Sequence, residues 1–79
     1  MNEDYRYGKI VQVIGPIVDV RYQQEHLPRL LTALKIDTEN NKKLTVEVLQ
    51  HVGDDTVRCV SMGPTDGLVR DMQVYNTDA

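Results

Sequence analysis

Residues 8–20 read Gly-Lys-Ile-Val-Gln-Val-Ile-Gly-Pro-Ile-Val-Asp-Val, so a Gly-Pro dipeptide separates two segments rich in β-branched residues. Valine and isoleucine favour strands, and Gly-Pro favours a turn. The stretch therefore predicts a β-hairpin, with a first strand at Tyr7–Ile14, a second at Ile17–Tyr22 and a two-residue loop at Gly15-Pro16. Glycine at the first loop position fits a type II′ turn.

The predicted hairpin separates apolar from polar side chains. A two-residue loop pairs Val13 with Val18 and Val11 with Val20. The predicted inner face carries Val11, Val13, Val18, Val20 and Tyr22, and the outer face carries Gln12, Asp19 and Arg21. Such a separation fixes register, because a shift by one residue would turn every apolar side chain outwards.

Four more short strands follow, separated by turn-forming residues. They are predicted at Thr32–Asp37, Lys43–Gln50, Thr56–Met62 and Met72–Tyr75. This spacing is typical of an all-β sandwich or barrel, and closure protects the edges of a small sheet. We therefore predict an all-β fold, a small closed six-stranded antiparallel β-barrel. Its predicted limits are residues 7–76, with a frayed tail at 1–6 and a truncated linker at 77–79.

Alternation also predicts how the later strands pair. An odd loop of three or five residues after the third strand sets Leu34 and Ile36 against apolar partners, with an asparagine of Asn40-Asn41 at positive φ. A two-residue loop at Gly53-Asp54 pairs the fourth and fifth strands. The predicted pairs are Val48 with Cys59 and Gln50 with Val57, with Glu47 diagonal to Arg58.

Composition excludes several classes of function. A net charge of −3 disfavours a protein that binds the nucleic-acid backbone. The sequence has no apolar stretch long enough to span a membrane, and its polar start, Met1–Asp4, is unlike a signal or transit peptide. A single cysteine excludes an internal disulfide and suits a reducing compartment.

No constellation of residues predicts catalysis. Gly63 and Gly67 are spaced one residue too closely for a P-loop, and Leu68-Val69 follow where Lys-Ser/Thr is needed. His26, His51 and Cys59 lack the spacing of zinc ligands. Cys59 lies in an apolar strand pattern and is expected to be a packing residue, while Asp54-Asp55 is expected to be a solvated turn.

Two binding functions remain open. The outward apolar residues Ile10, Ile14 and Leu49 suggest an assembly surface, because contiguous exposed apolar patches are uncommon on monomers. Asp19 and Arg21 are either surface charges or subunit contacts. The candidate interface residues are Ile10, Ile14, Asp19, Arg21, Leu49 and Arg58. The alternative is a free-standing barrel that binds nucleic acid or a small ligand, although a stacking platform and a positive groove are both expected to be missing.

An ordered set of motifs resembles one family over Tyr7 to Thr77. The motifs are Gly8–Gly15, Val18-Asp19-Val20, Leu27-Pro28, Ala33-Leu34, Glu47-Val48, Gln50-His51, Gly53, Val57-Arg58, Met62, Thr65-Asp66-Gly67-Leu68 and Arg70. Together they resemble the first domain of the beta subunit of the rotary ATP synthase. The alpha subunit's similar barrel lacks the Val-Asp-Val and Gln-His pattern. Two departures are Tyr22, where phenylalanine is usual, and Asp71, where glycine is common.

This resemblance implies a role in assembly. In the family, barrels of three alpha and three beta subunits form an alternating ring, the crown, that holds the catalytic hexamer together. It implies no cofactor in residues 1–79, since ATP/ADP and Mg belong to the following nucleotide-binding domain of the parent. The implied partners are alpha subunits, with no nucleic acid and no direct membrane contact. The implied location is the cytoplasm, at the inner face of the energy-coupling membrane. The resemblance favours a bacterial source, because no transit peptide is seen.

Overall fold

A computed structural model describes residues 5–38 and 42–79 and shows an all-β fold. The strands are β1 (Tyr7–Ile14), β2 (Ile17–Arg21), β3 (Ala33–Asp37), β4 (Lys43–Gly53), β5 (Thr56–Ser61) and β6 (Gln73–Asn76), with one short 3-10 turn at Gln24–His26. They form a closed antiparallel barrel in the order β1-β2-β5-β4-β3-β6. The predicted six-stranded barrel is confirmed.

The β1–β2 hairpin turns at Gly15-Pro16, as the sequence predicts. Gly15 has a φ of 56° and Pro16 does not have a positive φ, which agrees with a type II′ turn. Val13 pairs with Val18 as predicted. The predicted pairing of Val11 with Val20 is wrong, because a β-bulge at Val11 shifts the register and places Ile10 opposite Val20.

The β4–β5 hairpin contains two further bulges. Val48 pairs with Cys59 as predicted, but Gln50 pairs with Arg58 instead of Val57. The two register shifts, at Leu49 and at Val52, move the turn from the predicted Gly53-Asp54 to Asp54-Asp55. Both aspartates have positive φ, 53° and 59°, the conformation of a type I′ turn.

The register of the β3–β4 pair is the one that a loop with an odd number of residues produces. Leu34 lies opposite Val46 and Ile36 opposite Leu44, so the apolar side chains share the inner face. The expected asparagine at positive φ falls on residues 40 and 41, which lie outside the described residues.

The barrel interior is filled by side chains from all six strands and two connecting segments. The buried core residues are Ile10, Val18, Val20, Tyr22, Leu34, Ile36, Val46, Val48, Val57, Cys59, Leu68 and Val74. The Tyr22 hydroxyl donates a 3.0 Å hydrogen bond to the Val74 carbonyl oxygen. Its ring packs so closely on Gly8 that a Cβ there would lie 2.8 Å from two ring carbons. This close approach explains why the residue facing the tyrosine is glycine.

Strand direction defines two ends of the barrel. The Gly15-Pro16 turn and the segment 62–72 lie at one end, and the connection 22–32 and the Asp54-Asp55 turn lie at the other. In the closed order, β1 is three strands from β4 in either direction, so their outer faces lie on opposite sides of the barrel. Among the described residues, no helix is long and apolar enough to cross a membrane.

Candidate subunit interface

The half of β4 that leads to the Asp54-Asp55 turn contains two bulges and exposes apolar side chains. Leu49 is the extra residue of the first bulge and Val52 is the extra residue of the second. Both side chains are exposed to solvent. A bulge redirects side chains and commonly does so beside functional surfaces. Two apolar residues therefore lie exposed in the half of β4 that contains the bulges, whereas Val46 and Val48 of the other half are buried.

The connection from β2 to β3 adds two leucines beside those bulges. The Leu31 N–H donates to the Val48 carbonyl oxygen at 2.7 Å. His51 Nε2 lies 2.7 Å from the Pro28 carbonyl oxygen and ties the same connection to β4. Leu30 and Leu31 are 57% and 66% exposed. We call Leu30, Leu31, Leu49 and Val52 the apolar flank.

Leu31 adopts a backbone conformation that leucine rarely takes. Its φ is 68°, in the left-handed region, although it has a Cβ. The conformation costs on the order of 1–2 kcal/mol for an L-residue, and the side chain gains little burial in return. Leu31 thus combines backbone strain with an apolar side chain in solvent, and strained residues of this kind cluster at functional sites.

A buried carboxylate lies on the outer face of β2. Asp19 is only 5% exposed, and its two oxygens accept hydrogen bonds from Arg58 Nε at 3.0 Å and Arg58 Nη2 at 3.1 Å. Gln12 Nε2 lies 3.4 Å from the second oxygen. Asp19 raises the pKa of Arg58, first through the hydrogen bond and then through charge attraction. The two-pronged geometry holds both side chains on this face.

The structure brings some predicted interface residues together and separates others. Asp19 and Arg58 form one ion pair, and Glu47 lies opposite Val60, so the predicted diagonal position of Glu47 relative to Arg58 is confirmed. Ile14 is exposed at the Gly15-Pro16 end, far along the barrel axis from Leu49. Arg21 is exposed on β2.

Ile10 corrects the sequence-based prediction. It is 0% exposed and belongs to the core, because the bulge at Val11 reverses the alternation of β1. Val11, which was predicted to be inside, is only partly buried.

Sequence reasoning missed three of the four residues of the apolar flank. Leu30 and Leu31 follow Pro28-Arg29 in a connection that alternation does not describe, and Val52 lay in a predicted turn. Two adjacent leucines in a connection between strands were the only available signal, since loops are usually polar.

The aromatic residues also differ from expectation. The rings of Tyr7 and Tyr75 lie on the outer face with centroids 5.1 Å apart, and the Arg6 guanidinium carbon lies 5.5 Å from the Tyr75 centroid. The sequence analysis did not predict this outward grouping of two tyrosines and one arginine. Tyr22 is buried as predicted.

The one thiol of the chain is a core group. Burial, with a smaller contribution from the charge of Asp19, raises the pKa of Cys59 to about 12. A protonated thiol is a poor nucleophile, so the predicted packing role agrees with its environment. Burial likewise raises the pKa of Tyr22. Within residues 5–38 and 42–79, no group of three or more His, Cys, Asp or Glu residues is placed to hold a metal ion.

Comparison with known families identifies the barrel. The model described as the ATP synthase alpha/beta family, beta-barrel domain, matches residues 10–78. This match covers all but the first residues of β1, all of the other strands and the connections that carry the apolar flank.

Proposed function

The chain belongs to the ATP synthase alpha/beta family, and on that premise we propose that it is the non-catalytic assembly domain of a beta subunit. In this proposal the barrel packs against neighbouring alpha-subunit barrels in an alternating ring. The ring holds the catalytic hexamer together while the parent enzyme synthesises or hydrolyses ATP.

The apolar flank is the observation that carries the proposal. Leu49 and Val52 are exposed at two bulges of β4, and the exposed Leu30 and Leu31 lie in a connection that is hydrogen-bonded to the same half of β4. Interfaces between subunits have apolar centres of this kind, surrounded by polar residues. An isolated barrel gains nothing from them, because exposed leucines favour aggregation.

The beta-subunit assignment rests on two motifs whose side chains have defined contacts. Asp19 of Val18-Asp19-Val20 accepts the paired hydrogen bonds of Arg58. His51 of Gln50-His51 contacts the Pro28 carbonyl oxygen and holds the connection that carries the two leucines of the flank. The motifs support the assignment because the alpha-subunit barrel, in the resemblance described above, lacks them, and here each positions part of an outer surface.

The proposal assigns no reaction to the barrel. ATP/ADP and Mg are bound, in this view, by another domain of the parent subunit, and the barrel contributes rigidity and complementary surface. The assembled complex is cytoplasmic and is peripheral to the energy-coupling membrane.

Substitution within the flank tests the proposal. Leu49→Glu places a charge in the centre of the flank, whereas Val69→Glu places the same charge on an exposed residue at the other end of the barrel. Both variants are made in the full-length subunit and mixed with its alpha partner. Burying an unpaired carboxylate is strongly unfavourable, so Leu49→Glu is expected to weaken hexamer formation by roughly a hundredfold, measured by sedimentation velocity.

The control fixes the interpretation. Val69→Glu is expected to assemble like the wild type, and urea denaturation checks that both variants remain folded. Equal assembly of the Leu49→Glu variant and the wild type would refute the flank as an interface.

A further inference from the structure

Two recesses adjoin on the outer face of the barrel away from the apolar flank. The first has a volume of about 720 Å³ and lies over β1, β6 and β3. The second has a volume of about 450 Å³ and lies over β1, β2 and the segment that precedes β6. Both are lined by Tyr7 and Gln73, so they form one continuous surface. We call this surface the β1–β6 trough.

Strand register arranges the trough in two rows. Lys9 lies directly opposite Arg21 on β2 and Gln73 on β6. In the other row Tyr75 lies directly opposite Tyr7 on β1 and Lys35 on β3. Side chains directly opposite each other share a face, so these groups point out of the barrel together.

The trough is positive although the chain is acidic. Within residues 5–38 and 42–79, five of the nine Lys and Arg residues line it, against two of the nine Asp and Glu residues. The lining cations are Lys9, Arg21, Lys35, Lys43 and Arg70, and the lining carboxylates are those of Asp37 and Asp71. The chain as a whole has a net charge of −3, so its cations are concentrated on this face.

Some of the trough cations already contact a carboxylate, and others keep N–H groups that can donate further hydrogen bonds. The Lys43 ammonium lies 2.6 Å from Asp37 Oδ1. Among the described residues, the Lys35 ammonium donates to the Thr45 hydroxyl rather than to a carboxylate. One guanidinium nitrogen of Arg70 donates to the Val11 carbonyl oxygen at 3.1 Å. Lys9 and Arg21 are like charges directly opposite each other, an arrangement that is unfavourable in the free barrel.

We propose that the β1–β6 trough is the docking surface for an acidic segment of the neighbouring barrel subunit. Carboxylates of that segment are expected to be bound between Lys9 and Arg21 and beside Lys35, with its apolar atoms on the Tyr7 and Tyr75 rings. The inference rests on the proposed function, since it names the second face that a member of a ring requires.

Position in the barrel agrees with this role. A ring built from head-to-tail contacts uses two different surfaces of each member. The trough extends from β2 across β1, β6 and β3 to Lys43 at the start of β4, whereas Leu49 and Val52 of the apolar flank lie in the second half of β4. The two surfaces can therefore contact different neighbours at the same time, one through apolar burial and one through charge.

A polypeptide fits the trough better than a nucleic acid does. The Arg6 guanidinium carbon lies 5.5 Å from the Tyr75 ring centroid, and the Tyr7 ring is tilted by 57° against the same ring. Arg6 therefore covers one face of Tyr75, and the tilted rings do not form the parallel platform on which successive bases stack. The carboxylates of Asp37 and Asp71 interrupt the positive surface, which disfavours a continuous phosphate backbone more than separate carboxylates.

Charge substitutions in the full-length subunit, mixed with its alpha partner, test the inference. Lys9→Glu removes a trough cation and creates an opposite-charge pair with Arg21, so the barrel is expected to remain folded and to become slightly more stable. Lys35→Gln removes the second cation and can still hydrogen-bond Thr45. Lys42→Glu is the matched control, because Lys42 is exposed and does not line the trough.

The readout is the dissociation constant of the subunit pair at about 50 and about 300 mM salt. Lys9→Glu is expected to weaken binding about tenfold and Lys35→Gln about threefold at the lower salt concentration, and both are expected to reduce the salt dependence. Carbodiimide coupling is expected to join the Lys9 or Lys35 amine to a partner carboxylate through an amide, which mass spectrometry detects.

Three other outcomes would each overturn the inference, for different reasons. If the trough variants match Lys42→Glu while Leu49→Glu still blocks assembly, the trough is not the docking surface and the proposed function stands. If the wild-type subunit does not bind its partner at either salt concentration, the proposed function itself fails. Binding of a single-stranded oligothymidylate that is lost in the Lys9→Glu variant would assign the trough to nucleic acid instead.

Discussion

Replacing Leu31 by asparagine is expected to stabilise the barrel and to weaken its assembly. Leu31 has a φ of 68° and a side chain that is 66% exposed. Asparagine tolerates the left-handed region much better than leucine and keeps the N–H that donates to the Val48 carbonyl oxygen. The substitution therefore relieves strain in the free barrel and removes an apolar contact from the proposed interface.

The expected gain in stability follows from the backbone conformation. A left-handed L-residue costs on the order of 1–2 kcal/mol, and asparagine recovers roughly 1 kcal/mol of this. Little apolar burial is lost, because most of the leucine side chain is already in water. For a domain of this size, about 1 kcal/mol corresponds to a rise in the melting temperature of roughly 4–8 °C.

The expected loss in assembly follows from the exposed area. Full burial of a leucine side chain stabilises by about 1.5–3 kcal/mol. The 66% that is exposed in the free barrel can still be buried by a partner, so the contribution to the interface is roughly 1–2 kcal/mol. This corresponds to a dissociation constant that is about 5- to 30-fold weaker.

Urea denaturation and sedimentation velocity measure the two effects on the same full-length subunit. Leu30→Asn is the matched control, because Leu30 is a neighbouring exposed leucine without a positive φ. The control is expected to weaken assembly but not to stabilise the barrel. A Leu31→Asn variant that is destabilised, or that is no more stable than Leu30→Asn, would refute the strain argument. Unchanged assembly in both variants would refute the interface.

Three further predictions concern buried residues. Gly8→Ala is expected to lower the free energy of unfolding by about 2–4 kcal/mol in urea denaturation, because its Cβ would lie 2.6 Å from the Arg21 carbonyl oxygen and 2.8 Å from the Tyr22 ring. Asp19→Asn is expected to lower the same quantity by about 1 kcal/mol, since the buried group loses its charge-assisted hydrogen bonds to a partly exposed guanidinium. The Cys59 thiol, with a pKa raised to about 12, is expected to react with a thiol reagent at pH 8 about a thousandfold more slowly in the folded protein than after unfolding in urea.

Each of these predictions has a control or an opposing outcome. Gly63→Ala is the control for Gly8→Ala, because its Cβ meets only a flexible Leu44 methyl group at 3.1 Å, and a loss of stability equal to that of Gly8→Ala would contradict the steric argument. An Asp19→Asn variant as stable as the wild type would mean that the ion pair does not stabilise the barrel. Rapid labelling of Cys59 in the native state would show that the thiol is accessible.

The raised pKa of the Cys59 thiol also sets the direction of a pH effect. The unfolded thiol ionises near pH 8.5, whereas the folded thiol stays protonated until about pH 12. The unfolded state therefore binds fewer protons in this interval, and the free energy of unfolding falls as pH rises through it. Below about pH 8.5 this group contributes no pH dependence. Cys59→Ala is expected to remove this contribution from a pH series of urea midpoints.

Local sequence determined the strands. It also determined the loops for which side-chain alternation shows whether the number of loop residues is odd or even. Alternation placed Leu34, Ile36 and Val46 on one face, and the required odd loop gave their observed register. Gly-Pro gave the first turn, because a backbone with positive φ followed by a fixed proline suits type II′ geometry. The motifs that resemble ATP synthase beta subunits identified the family, whose barrel model matches residues 10–78.

Only the tertiary structure decided which outward-facing residues share one surface. Bulges at Val11, Leu49 and Val52 shift the register by one residue each, and strict alternation does not mark them. The first bulge buries Ile10, and the exposed Leu49 and Val52 lie at the other two. The β1–β6 trough likewise joins side chains from separate strands. The alternation of side chains along a strand relates a residue only to those two positions away. The apolar flank and the β1–β6 trough depend instead on contacts between strands that are far apart in the chain.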